Sequence, residues 1–129
     1  KNPNAWMAHY NLANVFINEQ KVEEALIHYR EAIRIKPDFP RASYNLANTL
    51  LAQSKTQEAI IQYEISIRTK PDFVDAYNNL GVALLSEGNT EEAIIQFEKA
   101  LELKPDYADA QNNLKVATRR GASSRDILH

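Results

Sequence analysis

Lys70-Pro71-Asp72-Phe73-Val74-Asp75-Ala76-Tyr77-Asn78-Asn79-Leu80 is the stretch that decides the fold, because its pieces return along the whole chain. Lys36-Pro37-Asp38-Phe39 runs on to Tyr44-Asn45-Leu46, and Lys104-Pro105-Asp106-Tyr107 runs on to Asn112-Asn113-Leu114. A shortened form, Asn2-Pro3-Asn4, leads to Tyr10-Asn11-Leu12. Pro3, Pro37, Pro71 and Pro105 fall 34 residues apart, and so do Asn11, Asn45, Asn79 and Asn113. Two residue types locked to one period mark a repeat array rather than a single ordinary core.

Each period reads as two helices. Leu12, Val15 and Phe16, then Ala25, Leu26, Tyr29, Ala32 and Ile33, follow the three-and-four spacing of amphipathic helices, with a polar break at Asn18-Glu19-Gln20-Lys21. The pattern predicts helices near 5–18, 22–36, 40–53, 56–70, 74–87, 90–104 and 108–120. Pro40 suits a first helical turn, where its missing N–H costs nothing. Pro37, Pro71 and Pro105 stop the second helix of each pair. Gly88 fits a left-handed cap, and Thr90 with Glu91 and Glu92 supplies the cap and dipole charges of the next helix.

Composition narrows the classes of function. A net charge of −2 gives no basic field for nucleic acid or an anionic membrane. No cysteine is present, which removes disulfides and thiolate metal sites and fits either redox compartment. No apolar run approaches the ~20 residues of a membrane span. Lys1-Asn2-Pro3 enters a repeat directly, with no secretory signal ahead of it, and the chain reads as a piece of a longer one.

Shared positions set the packing. Ala13, Ala47 and Gly81 are small in the first helix, and Ala25, Ala59 and Ala93 are small in the second; larger residues surround them. Small facing residues allow close helix approach. Leu80-Gly81-x-x-Leu84, Ala93-x-x-x-Phe97 and Pro105 resemble the tetratricopeptide repeat, with its 34-residue period. The resemblance runs from Pro3 to about Arg119. It implies an all-α solenoid, a right-handed stack of antiparallel helix pairs with the first helix of each pair on the concave side. Residues 1–5 then read as the remnant of a preceding repeat, 6–39, 40–73 and 74–107 as three repeats, 108–121 as a closing helix, and 122–129 as a tail. Lys115 and Thr118 replace core residues in the last helix, the polar outer face a terminal repeat needs. Trp6 and Met7 sit where a preceding repeat would pack. They are expected to be exposed or covered by another copy, giving self-association through that end.

First-helix residues not used by the core define the candidate groove: Tyr10, Asn11, Asn14, Arg41, Tyr44, Asn45, Asn48, Asp75, Asn78, Asn79, Asp109, Asn112 and Asn113. The asparagine column is its sharpest feature, since asparagine costs several tenths of a kcal/mol against alanine within a helix. A carboxamide pairs with both C=O and N–H of a peptide. Helices about 10 Å apart would repeat it every three residues of an extended ligand rising ~3.3 Å each. Duplication of a harmless residue is the alternative.

Asp75-Ala76-Tyr77-Asn78-Asn79-Leu80 and Asp109-Ala110-Gln111-Asn112-Asn113-Leu114 also resemble the superhelical repeats of the O-linked N-acetylglucosamine transferases. That resemblance implies an asparagine ladder (Asn11, Asn45, Asn79, Asn113) holding peptide backbone, with Asp75 and Asp109 touching ligand side chains. Met7 and Arg41 depart from the aspartate pattern. Repeats that clamp chaperone C-terminal carboxylates need basic residues where this chain has Tyr10, Asp75 and Asn79, and aspartate repels a carboxylate.

Catalysis, a metal and a cofactor find no support. His9 is assigned to the face between helices and His28 to an outer face, without metal-ligand spacing. Ser66 occupies a packing position, and the early-helix glutamates answer the helix dipole. The expected function is a protein-interaction module for an extended peptide or protein segment. The alternatives are a substrate-recruiting domain of a larger enzyme such as a glycosyltransferase, and a structural spacer.

Overall fold

The computed structural model describes residues 3–128, and of residues 123–128 the backbone alone. Seven helices and no strand occur among the described residues: α1 (Ala5–Asn18), α2 (Val22–Ile35), α3 (Pro40–Ala52), α4 (Thr56–Thr69), α5 (Val74–Ser86), α6 (Thr90–Leu103) and α7 (Ala108–Leu128). The first six end within one residue of the positions that periodicity predicts.

Proline explains the even endings of α2, α4 and α6. Lys36, Lys70 and Lys104 each precede a proline and lie at φ −133, −136 and −144°. Proline's Cδ excludes the α region for the residue before it, so the helix must open there. Pro40 opens α3 at its first turn. The glutamates do occupy first turns, Glu23 and Glu24 in α2 and Glu91 and Glu92 in α6. Thr90, however, is not a cap. It is the first residue of α6, Asn89 precedes it, and neither side chain closes a cap bond.

The turn inside each pair holds a feature that composition hides. Gln20, Ser54 and Gly88 occupy equivalent positions, with φ 62, 63 and 82°. Only the third is glycine, the residue for which left-handed backbone is unstrained. Replacing Gln20 or Ser54 with glycine is therefore expected to raise stability by about 0.5–1 kcal/mol each, read as a higher urea midpoint. A lower midpoint would show that the side chain holds the turn.

α7 is longer than the sequence pattern predicts. The expected closing helix ended at 121 with a separate tail, whereas the helix continues to Leu128. No proline follows Ala108, and no described residue beyond Gly88 has a left-handed backbone, so the hydrogen-bond ladder runs on. Whether Ile127 and Leu128 turn back onto the helices lies outside the described side chains. Lys115 and Thr118 are exposed, as the polar outer face requires, while Ala110 and Ala117 are buried.

The helices gather into two compact units that divide between Pro71 and Asp72. In the first, α1 packs on α2, α2 on α3 and α3 on α4. Ala13, Ala25, Ala47 and Ala59 are fully buried there, beside the rings of Tyr29 and Tyr63. Ser66 is a packing residue whose Oγ donates to the Pro40 carbonyl at 2.8 Å. In the second unit α6 packs on both α5 and α7, with Gly81, Ala93, Phe97 and Ala100 buried.

Trp6 departs from expectation. It is half-buried within its own unit, edge-on to Phe39 at 4.8 Å with the Lys36 ammonium 5.2 Å from its ring centre. The apolar exposure falls on its neighbours, with Met7, Leu12 and Val15 exposed by 48, 39 and 47 %. The residues equivalent to Leu12, Leu46 and Leu80, are buried.

Candidate functional site

The candidate groove residues project from α1, α3, α5 and α7, and their hydrogen bonds form a repeating pattern. Tyr29 Oη donates to Asn14 Oδ1 at 2.5 Å, and Tyr63 Oη donates to Asn48 Oδ1 at 2.5 Å. The third repeat has Phe97 in place of the tyrosine and Val82 in place of the asparagine. Hydroxyl and carboxamide appear together and vanish together. A buried phenol needs an acceptor, so the asparagine satisfies it where tyrosine is used.

The ladder asparagines reach back to the repeat before them. Asn45 Nδ2 donates to Tyr10 Oη at 3.0 Å and to Asn14 Oδ1 at 3.4 Å. Asn113 Nδ2 donates to Asn78 Oδ1 at 3.0 Å, the equivalent of the Asn45–Tyr10 bond, since Asn78 holds the position of Tyr10 two repeats on. Asn78 Nδ2 in turn donates to Asn79 Oδ1 at 3.2 Å. Asn45 and Asn113 therefore tie one first helix to the next within each unit, a use of the carboxamide that differs from the ligand contact expected of the column.

This bonding sorts the candidates. Asn78 is 4 % exposed and has both ends of its carboxamide engaged, so it lines the interior rather than a free surface. Asn11, Asp109 and Asn112 are exposed. Arg41 is exposed and held by a contact of its own, and the half-buried ring of Tyr44 lies tilted 6.1 Å from that of Tyr63. Asp75 is exposed and accepts a hydrogen bond from Tyr107 Oη at 2.8 Å.

In the first unit the arrangement opens a cavity of about 340 Å³ lined by Asn14, Ile17, Tyr29, Asn45, Asn48 and Thr49. Asn14 uses its oxygen internally and Asn45 uses its nitrogen. Asn14 Nδ2 and Asn45 Oδ1 are left without a partner among the described residues. One donor and one acceptor thus line the same cavity, the complement of a peptide unit's C=O and N–H.

Burial pushes the Tyr29 phenol up to about 12 from an ordinary 10.0, with the neighbouring Tyr10 adding to the rise and the Asn45 carboxamide opposing it. The unfolded chain loses this proton near 10 and the folded chain only near 12. Stability contributed by the neutral phenol is thus full below pH 10 and lost as pH rises towards 12. Urea midpoints of wild type should fall in that window, and those of Tyr29→Phe should fall less. Equal slopes would contradict the assignment.

The histidines also depart from their expected placement. His9 and His28 are neighbours, Nδ1 to Nδ1 at 2.9 Å, with ring planes inclined 22° and ring centres 5.2 Å apart. The centres are farther apart than the nitrogens by about one ring diameter, so the nitrogens meet head-on. One Nδ1–H donates to the other Nδ1, and the head-on rings aim their nitrogens at each other rather than at a shared ion. No group of three or more His, Asp or Glu able to hold a metal occurs among the described residues. No described helix is long and apolar enough to cross a membrane.

Helix hairpins repeated within each unit, with a polar face on the first helix of each pair, define an all-α helical-repeat protein of the α-α superhelix class. The Tetratricopeptide repeat family profile matches residues 44–108, and a second, TPR repeat, matches residues 13–54. The chain belongs to the tetratricopeptide-repeat family. No curated protein sequence matches it.

Solved structures similar to it include the first such domain of Spaghetti (RPAP3) bound to the HSP90 peptide SRMEEVD. The two are 22 % identical with TM-score 0.90, covering 94 % of this chain and 96 % of that one. The Sgt2 domain from Aspergillus fumigatus is 18 % identical with TM-score 0.87, over 95 % of this chain and 83 % of that one. The second domain of human RPAP3, solved with the HSP70 peptide SGPTIEEVD, is 24 % identical with TM-score 0.86, over 91 and 98 %. At these identities the likeness establishes the fold.

Proposed function

We propose that this chain is a protein-interaction module that holds an extended peptide segment along the polar faces of its first helices. The supporting observation is the Asn14–Asn45 pair beside one cavity, whose unbonded donor and acceptor complement a main-chain amide while their other atoms are fixed by Tyr29 and Tyr10. Pre-fixed carboxamides lose little freedom on binding, so each hydrogen bond contributes more of its strength. Recognition of this kind reads backbone and is nearly indifferent to ligand sequence.

Two of the similar domains were solved with acidic chaperone peptides. The candidate residues of this chain include Asp75 and Asp109 against the single cation Arg41. That balance favours a neutral or basic segment over one ending in several carboxylates.

The test is a peptide array probed with wild type and with an Asn45→Ala/Asn79→Ala double variant, both checked for native helix content. Binding that falls at least tenfold in the double variant supports the groove. Binding unchanged by it removes the asparagine column from the mechanism.

A further inference from the structure

One face of α1 carries the pattern of a helix seam and is exposed along its whole length. Ala8, Asn11, Val15 and Asn18 follow one another at intervals of three, four and three, and all four are exposed. Met7 and Leu12 flank them, 48 and 39 % exposed. That spacing keeps a narrow stripe on one side of a helix and is the heptad spacing of two-helix seams. The same surface one repeat later is closed. Ala42, Leu46 and Thr49, the equivalents of Ala8, Leu12 and Val15, are buried, and α2 packs on their helix. The α1 stripe thus has the make-up of a helix-packing surface, and none of the described helices covers it.

Two features select its occupant. α1 is the one helix whose sequence holds no Asp, Glu, Lys or Arg. The charge at its C-terminal end, Glu19, lies 3.5 Å from the Lys21 ammonium. A surface without charge offers a charged foreign segment nothing to pair with, and it does not repel a copy of itself. The second feature is the order of side chains. With two such helices antiparallel about Asn11, the small Ala8 of each falls opposite the larger Val15 of the other. The two Asn11 carboxamides meet at the axis, where each offers the other a donor and an acceptor.

We infer that α1 is a self-association surface, on which two copies of this chain pair their α1 helices antiparallel across a twofold axis at Asn11. A twofold contact uses the same patch on both copies, so assembly closes at the dimer. Asparagine within the seam fixes its register at a cost in strength. With Met7, Leu12 and Val15 as its main apolar side chains, the interface belongs to the small, weak class. In the dimer Asn11 serves the axis, and contact with a groove ligand is left to Asn14 and Asn45.

The test is sedimentation equilibrium of the full chain between about 10 µM and about 1 mM, the range suited to a small interface. The average mass is expected to climb from 14.7 kDa towards twice that value. Ala8→Glu and Val15→Lys each set a charge against an apolar neighbour, and each alone should weaken association by about tenfold or more. Both positions are exposed in the single chain, so circular dichroism should be unchanged. Mixed in equal amounts, the two variants should associate again, because the antiparallel pair brings their opposite charges face to face.

A mass that stays at 14.7 kDa throughout overturns self-association and leaves the stripe to a foreign helix. Association undiminished in both single variants overturns the α1 contact. Variants that are dispersed singly and remain so when mixed overturn the antiparallel register.

Discussion

Truncation of Phe97 to alanine is expected to lower the stability of the second unit by about 3–5 kcal/mol, a large part of what a domain of this size possesses. The ring is 0 % exposed, on the α6 helix that packs against α5. Gly81 shows how tight the contact is. A methyl built there would stand 2.7 Å from Phe97 Cδ1 and 2.8 Å from Cζ, and closer still to Cε1. Gly81→Ala should therefore cost about 1–3 kcal/mol by overpacking, against the usual rule that glycine to alanine stabilises a helix interior.

The two changes share one space, so their effects should not add. In a Phe97→Leu background the Gly81→Ala penalty should largely disappear, and thermal unfolding of the four chains measures the coupling. An undiminished penalty would mean that the methyl clashes with backbone instead. The other repeats carry alanine opposite tyrosine at these positions, Ala13 with Tyr29 and Ala47 with Tyr63.

Replacing Asn14 with leucine is the second large effect. It removes the acceptor of the Tyr29 hydroxyl, on a ring 2 % exposed, and the acceptor of Asn45 Nδ2. An orphaned buried hydroxyl costs about 1–3 kcal/mol. The chain contains its own control, because the third repeat carries Val82 and Phe97 in these positions. Asn14→Leu/Tyr29→Phe reproduces that apolar pair and should recover most of the loss. Peptide binding should stay impaired in both, since each lacks the outward donor of Asn14. Recovery of stability together with binding would assign Asn14 to the core alone.

The repeat, the helix boundaries and the small residues at the packing positions were all legible in the sequence. They depend on local chemistry copied at a fixed period, and proline, alanine and alternating polarity act over a few residues. The pairing of asparagine with tyrosine was legible too, since Asn14 with Tyr29, Asn48 with Tyr63 and Val82 with Phe97 sit 15 residues apart each time. It passes unnoticed when each column is read by itself.

Other features were not legible. The strained Gln20 and Ser54 turns were hidden because glycine appears at only one of three equivalent positions. The histidine pair was hidden because 19 residues separate His9 from His28, and only the antiparallel return of α2 on α1 brings them together.

By itself, then, the sequence determined an array of helix pairs and the residues that the first helices share. Period, proline placement and small-residue columns act through backbone and nearest-neighbour forces, and those need no tertiary context. Tertiary structure alone decided which end of each carboxamide is used. Asn45 spends its nitrogen on Tyr10 and Asn14 and keeps its oxygen unbonded because Tyr10 and Asn14 stand where they do. A side chain with a donor and an acceptor on one carbon takes its orientation from its partners, and those partners come from another helix.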